Sequence, residues 1–205
     1  MTENTRSFPD WETLYKNQEV KSMPWYNESL DHDLELELDK MKIKKGSFLD
    51  LGTGPGTQAI KLFERGFEVT ASDLSPTAIH KASVRYNNKM NNKIKFIVDD
   101  IVNSHLSSNE FDFIFDRGCF HVISPEKRSI YTEEVNRILK EGGLLFLKCF
   151  REKEPVRDTG PYRFSNDMIK KTFENSRFKV QGIRETVYQG TLNPLPKALF
   201  VVISK

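Results

Sequence analysis

Ser47-Phe48-Leu49-Asp50-Leu51-Gly52-Thr53-Gly54-Pro55-Gly56-Thr57 runs from an apolar stretch into three alternating glycines. Phe48 to Leu51 has the length and character of a buried strand, and the residues from Thr57 to Arg65 continue as a helix. Glycine lacks a Cβ, so glycines at every second position let the chain turn sharply and let another group approach the backbone closely. A helix starting near Thr57 aims the N–H groups of its first turn at whatever lies beyond the strand's carboxyl end. The stretch predicts a strand, a tight turn and a helix, the opening unit of an α/β sheet.

Working outward, strands and helices alternate. Val69 to Ser72, Ile94 to Val98, Phe111 to Phe115 and Leu144 to Phe150 read as strands, with helices at Pro76 to Asn87 and Pro125 to Leu139. That alternation predicts a parallel sheet. Gly142-Gly143 reads as a tight turn into the fifth strand. After Ser165, a helix cap, come a helix over Asn166 to Glu174 and two long strands, Phe178 to Tyr188 and Ala198 to Ile203, joined through Gly190 to Pro196. Ahead of the sheet, Leu30, Leu34, Leu38 and Met41 recur at helical spacing, so a helix near Glu28 to Lys42 is expected to cover the sheet or the site. The terminus before Pro24 and the stretch Arg151 to Pro161 carry the weakest patterns and are candidate lids.

A length of 205 residues suits a single domain, 1–205, with an amino-terminal cap segment over 1–42 and a core over 43–205. Lys and Arg total 31 against 29 Asp and Glu, a net charge of +2, too little for a field that gathers nucleic acid. A small-molecule substrate fits better, handled by a monomer or weak homodimer. The basic runs Lys40 to Lys45 and Lys61 to Arg65 read as solvated faces or helix ends. Cys119 and Cys149 end apolar runs and read as reduced, packed thiols. His32, His80, His105 and His121 are scattered without ligand spacing, so no metal is expected. No stretch resembles a signal peptide or a membrane span, and a cytoplasmic location without membrane association is expected.

Three nucleotide-binding readings compete for the glycine turn. A phosphate-cradling P-loop needs Lys and then Ser or Thr after its last glycine, but Gly56 is followed by Thr57-Gln58. A dinucleotide fingerprint needs G-x-G-x-x-G, and here the third glycine falls one residue early. The pattern D/E-x-G-x-G-x-G of an S-adenosylmethionine site is met by Asp50, Gly52, Gly54 and Gly56. The next strand ends in Asp73, a carboxylate able to accept both ribose hydroxyl protons, or else to cap the helix at Pro76, where Ser75 can serve instead. The third strand ends in Asp99-Asp100-Ile101, and Asp100 could accept from an adenine amino group.

In these motifs, and in Phe111-Asp112-Phe113-Ile114-Phe115-Asp116 after them, the chain resembles the class I S-adenosylmethionine-dependent methyltransferases over nearly its whole length. Asp116-Arg117-Gly118-Cys119-Phe120-His121, Leu139 to Phe146 and Pro24-Trp25-Tyr26 resemble the small-molecule branch around the thiopurine and tellurite-resistance methyltransferases. The resemblance implies a Rossmann-like three-layer αβα sandwich, with a mostly parallel seven-stranded sheet closed by an antiparallel hairpin. It implies S-adenosylmethionine as cofactor, S-adenosylhomocysteine as product, and cofactor contacts from Asp50, Gly52, Thr53, Gly54, Gly56, Thr57, Asp73, Leu74, Asp100, Ile101 and Asp116. The acceptor would be a small sulfur, nitrogen, oxygen, metalloid or halide nucleophile. A regulatory module that binds the cofactor without turnover, and an NAD-dependent oxidoreductase, are the alternatives.

Three residues are candidates for catalysis. Asp116 ends the fourth strand at the crevice and would sit near the transferred methyl; Arg117 would either meet an anionic substrate group or make a structural salt bridge. His121 can act as a base or pack as a neutral ring. Trp25 and Tyr26 could close over cofactor or substrate or anchor the first helix. Tyr162 and Arg163, on the second candidate lid, could meet the substrate or tie down the loop.

Overall fold

Every parallel strand of this protein delivers its carboxyl end to the same edge of one sheet. The computed structural model describes residues 7–87, 93–155 and 160–205. Seven strands lie in the order β3-β2-β1-β4-β5-β7-β6, with β1 at Ser47–Leu51, β2 at Glu68–Asp73, β3 at Lys95–Val98, β4 at Phe111–Arg117, β5 at Leu139–Phe150, β6 at Lys179–Val187 and β7 at Lys197–Ser204. β1 to β5 pair in parallel, and β7 runs antiparallel between β5 and β6. The expected αβα sandwich with its antiparallel closing hairpin is the fold observed.

The two apolar faces of the sheet follow from strand alternation. Leu49, Ile114, Leu145, Leu147 and Val201 point to one face, where they meet Tyr131, Val135 and Phe173 of the helices α5 (Arg128–Ile138) and α6 (Asn166–Glu174). Phe48, Phe115, Phe146 and Phe200 point to the other, where they meet Leu34 and Leu38 of α2 (His32–Lys40) and Leu62 of α3 (Thr57–Glu64). Burial of both faces is what makes β1 and the end of β4 read as continuous apolar runs.

α4 (Pro76–Asn87) spans the expected residues, with Ser75 Oγ accepting from Ala78 N at 3.1 Å at its start. Ser165 caps α6 the same way, accepting from Met168 N at 3.1 Å. Four expectations change. The segment before Pro24 contains a helix, α1 (Trp11–Asn17), capped by Asp10. α2 ends at Lys40 and leaves Met41 41% exposed, outside the apolar stripe. The helix expected over Pro125 to Leu139 is a 3-10 turn, Pro125–Lys127, followed by α5. β5 begins at Leu139, so Gly142 and Gly143 lie within the strand, beside a register shift against β4.

Candidate active site

The glycine turn leaves β1 with Gly52, Gly54 and Gly56 at φ of 69°, 51° and 76°. Its glycines make room for protein as much as for a ligand. A Cβ on Gly54 would lie 2.5 Å from the Tyr15 hydroxyl, and one on Gly56 would lie 2.9 Å from Ala82 Cβ of α4. Gly52 alone of the three lines the cavity described below. Asp50 is turned inward at 2% exposure, where it accepts from Thr53 Oγ1 at 2.5 Å and from the backbone of Ala59 in the first turn of α3. Burial pushes its carboxyl up to about 6. Asp50, Thr53, Gly54, Gly56 and Thr57 therefore shape the turn from behind; none of them is in the cavity wall.

Asp73, at the tip of β2, does face the cavity. Its Oδ2 accepts from Gly54 N at 2.8 Å and its Oδ1 from Ser75 N at 2.9 Å, while burial raises its pKa. Ser75 is the cap of α4, which leaves the remaining lone pairs of Asp73 for a ligand. Leu74, Asp99, Asp100, Ile101 and Val102 continue this wall. Asp99 is held by Ser104 Oγ at 2.7 Å and His105 N at 2.9 Å, and Asp100 accepts from Val102 N at 3.1 Å.

The cavity has a volume of about 600 Å³. The ends of β1, β2 and β3 form one wall, and residues 117–119 and 121–124, Phe150 at the end of β5 and Tyr188 just past β6 form the opposite one. Phe8, Trp11, Tyr15 and Trp25 cover it. Trp25 meets Trp11 and Tyr15 edge-on, at 5.9 Å and 6.5 Å between ring centroids. Glu12, next to Trp11 on α1, accepts from Ser75 Oγ at 2.5 Å, Thr77 N at 3.0 Å and Thr77 Oγ1 at 2.6 Å. The hydrogen bonds to Ser75 and Thr77 hold its carboxyl down at about 2. The cover is thus latched to the start of α4. Nothing local in the polar sequence of α1 signalled this, because its partners lie more than sixty residues away.

The end of β4 corrects the expectation for Asp116. Its carboxylate is fully buried and accepts from Gly118 N at 3.0 Å, Cys119 N at 2.8 Å, Phe120 N at 2.9 Å and Tyr131 Oη at 2.6 Å. With four donors engaged and no place in the cavity wall, it organises the turn that carries Arg117 and His121. Burial pushes it up to about 6.

Arg117 lines the cavity but is committed to structure. Nε donates to Asp31 Oδ2 at 2.9 Å, one Nη donates to Trp25 O at 2.9 Å and the other to Gln189 O, and the guanidinium lies 4.4 Å over the Tyr188 ring. Asp31 also receives Lys148 Nζ at 2.8 Å, and Lys148 reaches Asp33 at 2.7 Å, with Lys148 and Asp31 at 0% exposure. Lys148 in the apolar run Leu144 to Phe150 was the one sequence signal for this network, since a buried ammonium requires a carboxylate partner.

His121 lines the cavity, its ring edge-on to Phe150 at 4.9 Å. Nδ1 accepts from Phe150 N at 3.3 Å. Burial, and after it the charge of Arg117, lower its pKa to about 3, so the ring is neutral. Of the other candidates, Trp25 and Arg163 line the cavity, whereas Tyr26 and Tyr162 do not. Tyr26 donates to Glu28 Oε1 at 2.7 Å, and Tyr162 packs 5.8 Å from Phe8 beneath the Arg128 guanidinium.

The model of the methyltransferase domain family matches residues 48–143. An uncharacterised methyltransferase of Schizosaccharomyces pombe, C750.03c, is 30% identical over 109 residues, 53% of this chain and 74% of that protein. The chain belongs to the class I S-adenosylmethionine-dependent methyltransferases. This methyltransferase is also 31% identical over 144 residues to the mouse EEF1A lysine methyltransferase 2, spanning 65% of the chain and 59% of that relative's length. It is 26% identical over 175 residues to the 2-heptyl-1-hydroxyquinolin-4(1H)-one methyltransferase of Mycobacteroides abscessus, 83% of the chain and 76% of that protein. Among solved structures, one reported for conversion of a disulfide bond into a thioacetal group during echinomycin biosynthesis shares the fold at a TM-score of 0.81, with 21% identity over 95% of this chain and 91% of that one. The methyltransferase's own residues suit its cofactor: Gly52 opens the turn, and Asp73 and Asp100 present carboxylates to the wall beside it.

Proposed function

We propose that this chain methylates a small-molecule nucleophile. The observation that carries the reading is the cavity of about 600 Å³, with Asp73 and Asp100 on one wall, Phe150 and Tyr188 on the opposite one and Trp25 in its cover. Asp73 would accept from the ribose hydroxyls, Asp100 from the adenine amino group, and Gly52 would let the backbone approach. When bound, the cofactor supplies an activated methyl on a sulfonium and leaves as S-adenosylhomocysteine. The protein's part is to hold the acceptor in line and exclude water, worth roughly 7–11 kcal/mol through proximity. Trp25 places an aromatic face where a cation is favoured, and α1 and the segment around Trp25 cover part of the site.

The name of the Mycobacteroides relative, a quinolone methyltransferase, supports a small acceptor; that of the mouse relative would favour a protein lysine. The cover of Phe8, Trp11 and Trp25 over the cavity favours the former, because a folded protein's lysine would have to displace it. Calorimetry with S-adenosylhomocysteine and NAD, followed by a panel of thiols, phenols, amines, carboxylates, halides, metalloid oxyanions and a lysine-bearing protein, tests the reading. Binding of S-adenosylhomocysteine near micromolar, about −8 kcal/mol, with product from a small acceptor is the expected result. Binding without turnover on any acceptor would leave a regulatory module, and preference for NAD would sink the assignment.

A further inference from the structure

The sheet order separates the cavity's chemistry into two ends. Asp73 ends β2 and Asp99 and Asp100 follow β3, whereas among the described residues the opposite wall carries Arg117, Lys127, Arg163 and the carboxylate Glu154, whose Oε2 accepts from Lys197 N at 2.7 Å. Among the described residues, the titratable and charged groups that line the cavity with His121 on this side are Arg117 and Cys119 on its own segment, Tyr188 beyond β6, Lys127 before α5, and Glu154 and Arg163 between β5 and α6. Tyr188 commits its proton to Arg117 O at 2.8 Å, and burial raises the Cys119 thiol well above its ordinary range. Glu154, the carboxylate among them, is engaged by Lys197 N.

His121 itself is fixed as a donor. Because Nδ1 accepts the Phe150 N–H, the ring's single proton belongs on Nε2. Nε2 lies 3.1 Å from where a Cβ on Gly118 would stand, and among the described residues no acceptor is found for it. Val122, Ile123, Leu192 and Pro196 complete an apolar lining around it.

We propose that His121 offers Nε2–H to the methyl acceptor as a hydrogen-bond donor, and that the site takes acidic S–H or O–H compounds with an apolar or aromatic body, bound as their anions. The acceptor's proton is lost to solvent before binding, so the wall has no proton to take, and Lys127, which lines the cavity, favours the charge that remains. The inference deepens the proposed function and rests on the cavity being the acceptor site.

The test uses 4-nitrophenol and 4-nitrothiophenol, whose ionised and neutral forms differ in absorbance, with the full chain saturated with S-adenosylhomocysteine. The bound probes are expected in their ionised form, titrating at lower pH than when free. His121→Phe should weaken binding about tenfold or more, the effect of one hydrogen bond to a charged group, and His121→Gln, which keeps an N–H donor, should recover most of it. Nitrogen NMR of the unmodified protein should find His121 neutral with its proton on Nε2 from about pH 5 to about pH 8. Probes bound in neutral form, equal binding by the Phe variant, or a His121 that titrates in that range would overturn the inference while leaving the proposed function intact. Failure of S-adenosylhomocysteine to bind would instead remove the proposed function and this inference with it.

Discussion

Arg117 Nε donates to Asp31 Oδ2 at 2.9 Å, joining two buried side chains 86 residues apart in sequence. The pair ties the end of β4 to the cap of α2, where Asp31 Oδ1 accepts from Asp33 N at 3.1 Å. Through Trp25 O and Gln189 O the same guanidinium holds two further segments of the cavity wall. Removing one member leaves the others charged and dry. Asp31→Ala, which takes the carboxylate from Arg117 and leaves Lys148 only Asp33 as its ionic partner, should cost about 3–5 kcal/mol in urea unfolding. A cost below about 1 kcal/mol would rank the network with exposed ion pairs.

Asp73 combines a structural and a binding role, and two variants separate them. Asp73→Ala loses the bonds from Gly54 N and Ser75 N and should destabilise the ligand-free protein by about 1–2 kcal/mol. It should also weaken S-adenosylhomocysteine at least about tenfold by calorimetry. Ser75→Ala removes the α4 cap at a similar cost, about 1 kcal/mol, and should keep the affinity. Equal affinities for the two variants would reduce Asp73 to a turn residue.

Gly118 has φ of 109°, and a Cβ there would stand 2.7 Å from the Tyr188 hydroxyl and 3.1 Å from His121 Nε2. Gly118→Ala should therefore cost about 1–3 kcal/mol of stability in a thermal melt and displace Tyr188 from Arg117 O. An unchanged melting temperature would mean that the wall yields without strain.

Asp116 links stability to pH. Burial raises its folded pKa to about 6 from the ordinary 3.8, so its protonated form favours the folded state. The stabilising contribution is complete below about pH 4 and is lost as pH rises through about 6, a change on the order of 3 kcal/mol. Asp50 shifts the same way. Unfolding free energies measured across this window should fall less steeply with pH in Asp116→Asn than in the unmodified chain. Parallel slopes would show that Asp116 is ionised throughout.

Elements with local signals were legible and those with distant partners were not. α4 was readable because Ser75 and Pro76 mark its start, and α6 because Ser165 does. α1 escaped because its segment is largely polar, and its burial depends on α4 through Glu12 and on the glycine turn through Tyr15. At the site, Asp73 and Asp116 look alike in sequence, each a carboxylate ending an apolar strand. One faces the cavity, and the other bends back to three backbone N–H groups of the following turn.

By itself, the run Asp50 to Thr57 with Asp73 and Asp100 determined the sheet, the family and the cofactor, because strand alternation and glycine spacing are local properties that survive without knowing what packs against them. Only the tertiary structure decided which side chains meet the cavity. Asp50 and Asp116 are drawn inward by donors of their own turns, Arg117 is spent on Asp31, and His121 is held neutral by burial and the charge of Arg117. Those outcomes depend on competition among partners that only folding brings together.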